Sequence, residues 1–145
     1  MWKLLVVLYF IALYPAASQV GESTCLIEGA SAAGQSVWLV CEDGKVLFRP
    51  GPKDGWKTLA LPTQATPRDI AFLDANRGFV VGDRGMLLAT EDGGKNWRPA
   101  AVPVQENLTA VFFRGELGWV AGWGGTILNT ADGGRSWERQ ATGLS

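Results

Sequence analysis

Two eight-residue segments, Thr90 to Trp97 (TEDGGKNW) and Thr130 to Trp137 (TADGGRSW), carry Thr, Asp, Gly, Gly and Trp at matching places 40 residues apart. A fixed period of this size marks a repeat architecture, in which each copy is one supersecondary module and stacking the copies builds the core. The repeat therefore constrains the fold more than any other feature. It also means that the most conspicuous residues can be scaffold and not chemistry.

Shifted by 40, Phe72 to Trp97 aligns with Phe112 to Trp137 without a gap. Gly78 falls on Gly118, Phe79 on Trp119, Val80 on Val120, Gly82 on Gly122, Gly85 on Gly125 and Leu88 on Leu128. At a shift of 41 an earlier copy appears, with Trp38 on Phe79, Gly44 on Gly85, Leu47 on Leu88 and Trp56 on Trp97. Its segment Arg49 to Trp56 reads RPGPKDGW and keeps only a Gly and the Trp. Short runs rich in Val, Ile, Leu, Phe and Trp, broken by Gly and Asp, are strand and turn signals. They predict four strands per unit. In the middle unit these are Arg68 to Leu73, Phe79 to Gly82, Met86 to Ala89 and Asn96 to Arg98. In the last they are Leu108 to Phe113, Gly118 to Gly122, Thr126 to Asn129 and Ser136 to Gln140. No segment sustains a 3.6-residue apolar period. The expectation is an all-β chain of β-propeller blades, each of four antiparallel strands, at about 24–62, 66–103 and 107–145. Gly82 to Gly85, Gly122 to Gly125 and Asp43-Gly44 read as hairpin turns, where glycine supplies positive φ.

Residues 1–18 stand apart from the repeat. Lys3 precedes an apolar run from Leu4 to Tyr14, Pro15 ends it, and Ala16-Ala17-Ser18 offers a small-residue cleavage site. This is the pattern of a signal peptide, so the remainder, 19–145, is expected to be exported. Glu22-Ser23-Thr24 before Cys25 is not a lipobox. The exported part has a small acidic excess, which argues against nucleic acid as a partner. Cys25 and Cys41 lie in apolar stretches that look like neighbouring strands of one hairpin. In an oxidising compartment such a pair reads as a disulfide, the alternative being two buried thiols. No CxxC and no His accompany them, and neither metal nor cofactor is expected.

The Thr-x-Asp-Gly-Gly-x-x-Trp segments resemble the Asp-box, or bacterial neuraminidase repeat. The wider pattern, from Gly118-Trp119-Val120 through Gly122, Gly125, Ile127 and Thr130 to Trp137, is similar to the photosystem II stability/assembly factor-like family of exported seven-bladed propellers. That resemblance covers about Thr24 to Ser145 and is strongest in the last two units. It implies a protein-binding assembly scaffold, in photosynthetic organisms one that binds a precursor of a reaction-centre subunit. It places such a chain in a periplasm, a thylakoid lumen or outside the cell. It also implies that the boxes, Thr90, Asp92, Gly94 and Trp97 and their partners Thr130, Asp132, Gly134 and Trp137, are structural and sit away from the ligand face.

The rival reading is a secreted carbohydrate-binding or sialidase-like, glycosidase-related propeller. Resemblance to a retaining sialidase would require a Tyr nucleophile. Both tyrosines, Tyr9 and Tyr14, fall in the leader, and the chain has no His to act as a general base. No enzyme is expected. Propeller ligands meet the loops between second and third strands and those linking blades, which directs attention to Asp43, Asp83, Arg84 and Trp123. Arg84 and Trp123 are read as equivalent positions of adjacent units, and both residue types are enriched at binding hot spots. Asn107-Leu108-Thr109 is a glycosylation sequon. Three blades do not close a ring. Either two chains associate into a six-bladed ring, or the chain is an open three-blade arc, which is the preferred expectation.

Overall fold

The computed structural model describes residues 25–143; the leader reading at 1–18 lies outside them. Three four-stranded antiparallel sheets follow one another along the described chain, with almost no helix. Sheet 1 comprises β1 (Ile27–Ala33), β2 (Ser36–Cys41), β3 (Lys45–Arg49) and β4 (Lys57–Ala60). Sheet 2 comprises β5 (Pro67–Phe72), β6 (Gly78–Gly82), β7 (Met86–Thr90) and β8 (Arg98–Pro99). Sheet 3 comprises β9 (Leu108–Arg114), β10 (Leu117–Gly122), β11 (Ile127–Thr130) and β12 (Glu138–Arg139). Strands are ordered in space as in sequence, so every connection within a sheet is a hairpin. This is the all-β propeller architecture expected from the repeat.

The fourth strands β8 and β12 are two residues each, shorter than the expected Ser136 to Gln140, and they begin after the box Trp. The main-chain N–H of Asn96 and of Ser136 donates to the box carboxylate of Asp92 and Asp132. A donor so used cannot join a ladder. The innermost strands each carry a register shift, which leaves Glu28, Arg68 and Thr109 as the extra residue. Such bulges bend a strand and re-aim one side chain.

The core lies at the seams between sheets. At the first seam, the fully buried Trp38 of β2 stacks on Phe72 of β5, centroids 3.8 Å apart. Trp97 meets Phe72 edge-on at 6.1 Å. The second seam repeats this arrangement: Phe79 stacks on Phe113 at 5.0 Å, and Trp137 meets Phe113 edge-on at 5.8 Å. Both geometries suit aromatic quadrupoles. Polar groups stitch the same seams. Phe72 N–H donates to Ser31 Oγ at 2.8 Å, and Val111 N–H donates to Asp69 Oδ2 at 3.0 Å. Asp69 is only 4% exposed, and a Cβ on Gly29 would lie 2.7 Å from its Oδ1. Glycine at 29 is what admits the carboxylate. Cys25 and Cys41 form a disulfide with Cα atoms 5.4 Å apart, tying the entry to β1 to the end of β2.

Candidate functional site

Each sheet has two ends of different character. One end holds the boxes and the β5–β6 and β9–β10 turns. There Gly93 N–H donates to Asn76 O, Gly133 N–H donates to Glu116 O, and Arg77 makes a bidentate pair with Glu116 at 3.0 and 2.8 Å. The other end holds the turns after β2, β6 and β10 and the linkers between sheets.

At the box end, Thr90 Oγ1 donates to Asp92 Oδ1 at 2.9 Å and accepts the N–H of Gly94 at 3.0 Å. Asp92 also accepts from Asn96, through N–H at 2.9 Å and Nδ2 at 2.7 Å. Trp97 Nε1 donates to Gly94 O at 3.0 Å. The second box repeats the set except the indole bond, Trp137 Nε1 having no hydrogen-bond partner among the described residues: Thr130 Oγ1 to Asp132 at 2.7 Å, Gly134 N–H to Thr130 at 2.9 Å, and Ser136 to Asp132 at 2.9 and 2.6 Å. The Asn96 N–H, followed by the Asn96 side chain, holds Asp92 at about 2. The Ser136 hydroxyl and N–H hold Asp132 lower still than an ordinary carboxylate. Hydrogen bonds to the charged form produce such shifts. A carboxylate held ionised and engaged on both oxygens is a poor proton carrier and a good turn staple.

Each box also reaches the preceding sheet. Trp38 Nε1 of sheet 1 donates to Gly93 O of the first box at 2.9 Å. In the second box a Cβ on Gly134 would strike the Phe79 ring. The boxes therefore staple their own turns and also the seams to the preceding sheets.

At the opposite end, the linkers cross the turns. Leu61 N–H donates to Gly44 O, Asp83 N–H to Thr66 O, and Gly85 N–H to Glu106 O. Gly82 and Gly122, expected to supply positive φ, are instead extended, at φ −172° and −154°. They are needed because the linker backbone at Thr66 and at Asn107 leaves no room for a Cβ. The positive φ falls on the following residues. Arg84 is at φ 59°, alone among the described non-glycine residues, and its counterpart in sheet 3 is Gly124 at φ 63°. The expected equivalence of Arg84 and Trp123 is thus corrected: Arg84 matches Gly124, and Trp123 matches Asp83.

The turns of Arg84 and Trp123 are nonetheless joined, by Asn107. Its Oδ1 accepts the Arg84 N–H at 2.9 Å, and its main-chain carbonyl accepts the Trp123 N–H at 2.9 Å. Both side chains face solvent, Trp123 with 65% of its surface exposed. Two open depressions flank Arg139 at this end, one bounded by Gly124 and Gly125, the other by the 102–106 linker. The acidic candidates are already engaged. Asp83 takes a bidentate pair from Arg68, both bonds 2.9 Å, which keeps its carboxyl below the usual range. Asp43 pairs with Lys45, with the same direction of shift. In sequence, Asn107 is the sequon residue and the end of the Val102 to Asn107 inter-blade linker, one of the loops expected on the ligand-facing side, while Arg68 is not among the candidate site residues. The bulge that aims Arg68 has no one-residue signature.

This geometry has counterparts among known proteins. The family described as photosynthesis system II assembly factor YCF48 matches residues 32–143. A photosystem II assembly lipoprotein Ycf48 of Synechococcus sp. (strain CC9902) is 42% identical over 65 residues, 42% of this chain and 20% of that relative. The chloroplastic photosystem II stability/assembly factor HCF136 of Cyanidioschyzon merolae is 48% identical over 48 residues, 32% of this chain and 11% of that relative. The matched stretch is thus a fifth or less of these relatives' length. Among solved structures, "YCF48 bound to D1 peptide" superposes with TM-score 0.69 at 20% identity, covering 81% of this chain and 41% of the other. A GH74 enzyme of Niastella koreensis also superposes, with TM-score 0.64 at 14% identity, covering 80% of this chain and 22% of the other. At these identities the superpositions speak to fold alone.

Proposed function

This chain belongs to the photosystem II assembly factor YCF48 family, and from that premise we propose that it is an exported, non-catalytic scaffold. It holds an extended protein segment against the turn end of its sheets. The observation that carries the reading is the exposed pair Arg84 and Trp123, joined through Asn107 beside two open depressions. Arg84 keeps a left-handed backbone that glycine serves in the neighbouring sheet. Strain of that kind, held by the surroundings, gathers at functional positions. An exposed guanidinium suits a peptide carboxylate, and an exposed indole suits an apolar neighbour on the same segment. Asp43 and Asp83 have supporting parts, fixing Lys45 and Arg68 at the rim.

The neighbouring YCF48 structure is that of a protein bound to a D1 peptide, which makes a membrane-protein assembly intermediate the partner class proposed here. The disulfide fits an oxidising compartment. Several relatives are named lipoproteins, but a Cys25 sulfur bonded to Cys41 cannot also carry a lipid thioether. The glycosidase alternative draws on shared fold only.

The test is titration calorimetry with a synthetic D1 peptide. Arg84→Ala and Trp123→Ala are each expected to weaken binding about tenfold or more. Unchanged affinity in folded variants would remove this site from the reading.

A further inference from the structure

Asp followed by Gly occurs four times in the chain, at Asp43, Asp54, Asp92 and Asp132. Such a pair rearranges when the glycine nitrogen reaches the aspartate side-chain carbonyl, since glycine has no Cβ to obstruct the approach. Three of the four pairs are held against it. Gly44 N–H donates to Cys41 O at 3.0 Å, Gly93 N–H to Asn76 O at 2.9 Å and Gly133 N–H to Glu116 O at 2.9 Å. Their carboxylates are engaged as well, Asp43 by Lys45 and the other two within the boxes.

The fourth pair, Asp54-Gly55, lies in the degenerate box of sheet 1. At a shift of 41, Gly51 stands where sheet 2 has Asp92, and Gly55 where it has Asn96. The N–H at that second position is the one that Asn96 and Ser136 give to a box carboxylate. Gly51 offers no carboxylate, so the Gly55 N–H is without a hydrogen-bond partner among the described residues. The Asp54 carboxylate is likewise unpartnered there, while its main-chain N–H donates to Gly51 O at 3.1 Å and closes the preceding turn. Both residues are exposed, and nothing lies within 4 Å of where a Cβ on Gly55 would sit.

We propose that Asp54 is a modification site, where isoaspartate forms through a succinimide shared with Gly55. The Gly55 nitrogen attacks Asp54 Cγ. A Cγ–N bond forms, the Cγ–OH bond breaks, and the hydroxyl leaves with the amide proton as water. Water then adds to the Asp54 main-chain carbonyl and breaks its bond to the Gly55 nitrogen. The chain now runs through Cβ and Cγ, one atom longer, and the former main-chain carbonyl is a free carboxylate. Mass is unchanged overall. The product is a substrate of the class methylated by S-adenosylmethionine-dependent isoaspartyl carboxyl methyltransferases. The added atom falls two residues before Trp56, whose ring lies under Arg49 at 5.0 Å and packs on Leu39, Cys41 and Leu47. The absence of a box carboxylate at Gly51 thus makes this turn, and not the intact boxes, the place where the fold ages.

The test incubates the exported chain at neutral pH for weeks, folded and in urea. Peptide mapping with electron-transfer fragmentation separates isoaspartate from aspartate at each of the four positions. Labelled S-adenosylmethionine with a purified isoaspartyl methyltransferase measures the total. In the folded chain, isoaspartate at Asp54 is expected to exceed that at Asp43, Asp92 or Asp132 by ~10-fold or more, because those three must first open a hydrogen-bonded turn. In urea the four rates are expected to converge. Gly55→Ala, whose methyl group meets open space, is expected to remove most of the methyl label from the folded chain. Equal isoaspartate at Asp54 and at any of the other three in the folded chain overturns the proposal. An Asp54 that stays unmodified in the folded chain, whether or not it rearranges in urea, overturns it too.

Discussion

Replacing Arg84 by glycine separates strain from binding. Arg84 sits at φ 59° with an exposed side chain, and among the described residues its guanidinium joins no ion pair. The one bond its residue makes to Asn107 uses the main-chain N–H, which glycine retains. The substitution therefore removes a Cβ from a left-handed position and little else. That Cβ costs about 1–2 kcal/mol there. Glycine gives back roughly 0.5–1 kcal/mol through the greater freedom of the unfolded chain. The net is a stabilisation of about 0.5–1 kcal/mol, or a rise in Tm of roughly 2–4 °C for a domain of this size. Thermal and urea unfolding measure it, with Arg84→Ala as the control, because alanine keeps the strain. The same glycine variant is expected to lose D1 peptide binding. A variant that is less stable than the parent, or an alanine variant stabilised equally, would refute the idea that the turn is strained for the sake of its side chain.

Gly134→Ala places a methyl group against the Phe79 ring at φ 84° and is expected to cost roughly 2–5 kcal/mol by denaturant unfolding. Gly94→Ala, whose nearest neighbour is a Trp97 ring atom at 3.3 Å, should cost measurably less. Asp92 is held at about 2, below its unfolded value, so the stability it confers is complete above pH ~4 and is lost as pH falls from ~4 towards 2. Asp92→Asn should flatten the urea midpoint across that window, leaving the slope due to Asp132. Removing the disulfide by Cys25→Ser with Cys41→Ala opens a loop of sequence separation 16 and should lower stability by ~3 kcal/mol. An unchanged midpoint would show that β1 and β2 need no covalent tie.

The sheets were legible because the repeat could be compared with itself. Phe72 to Trp97 against Phe112 to Trp137 fixed strand number and the box, but the turn before Gly78 is longer than that before Gly118, so Phe72 pairs with Gly78 while Phe113, not Phe112, pairs with Gly118. Features that depend on one chain segment crossing another were not legible. Gly82 and Gly122 look like turn glycines in sequence, yet a linker lying over them is what excludes a side chain. The fourth strands shrink because Asn96 and Ser136 give their N–H groups to a carboxylate. Asn107 matters through where its linker passes, which no local pattern encodes. Of the candidate site, the sequence put forward Arg84 and Trp123, whose turns the structure joins through Asn107. It missed their displacement by one residue, because both follow a Gly within four-residue turns of equal length.

The bond from Trp38 to Gly93 gives the array a direction. A box closes its own hairpin and at the same time holds the aromatic residue of the sheet before it. Opening the box at Thr90 to Trp97 therefore loosens sheet 1 as well as sheet 2, while fraying of sheet 1 leaves that box's internal bonds to Thr90 and Asp92 intact. In a nearest-neighbour chain, such asymmetry makes disorder travel towards the N-terminal side more readily than away from it. A loss at one box is thus felt one sheet upstream, where Ser31, Trp38 and the disulfide-tied strands take up the strain.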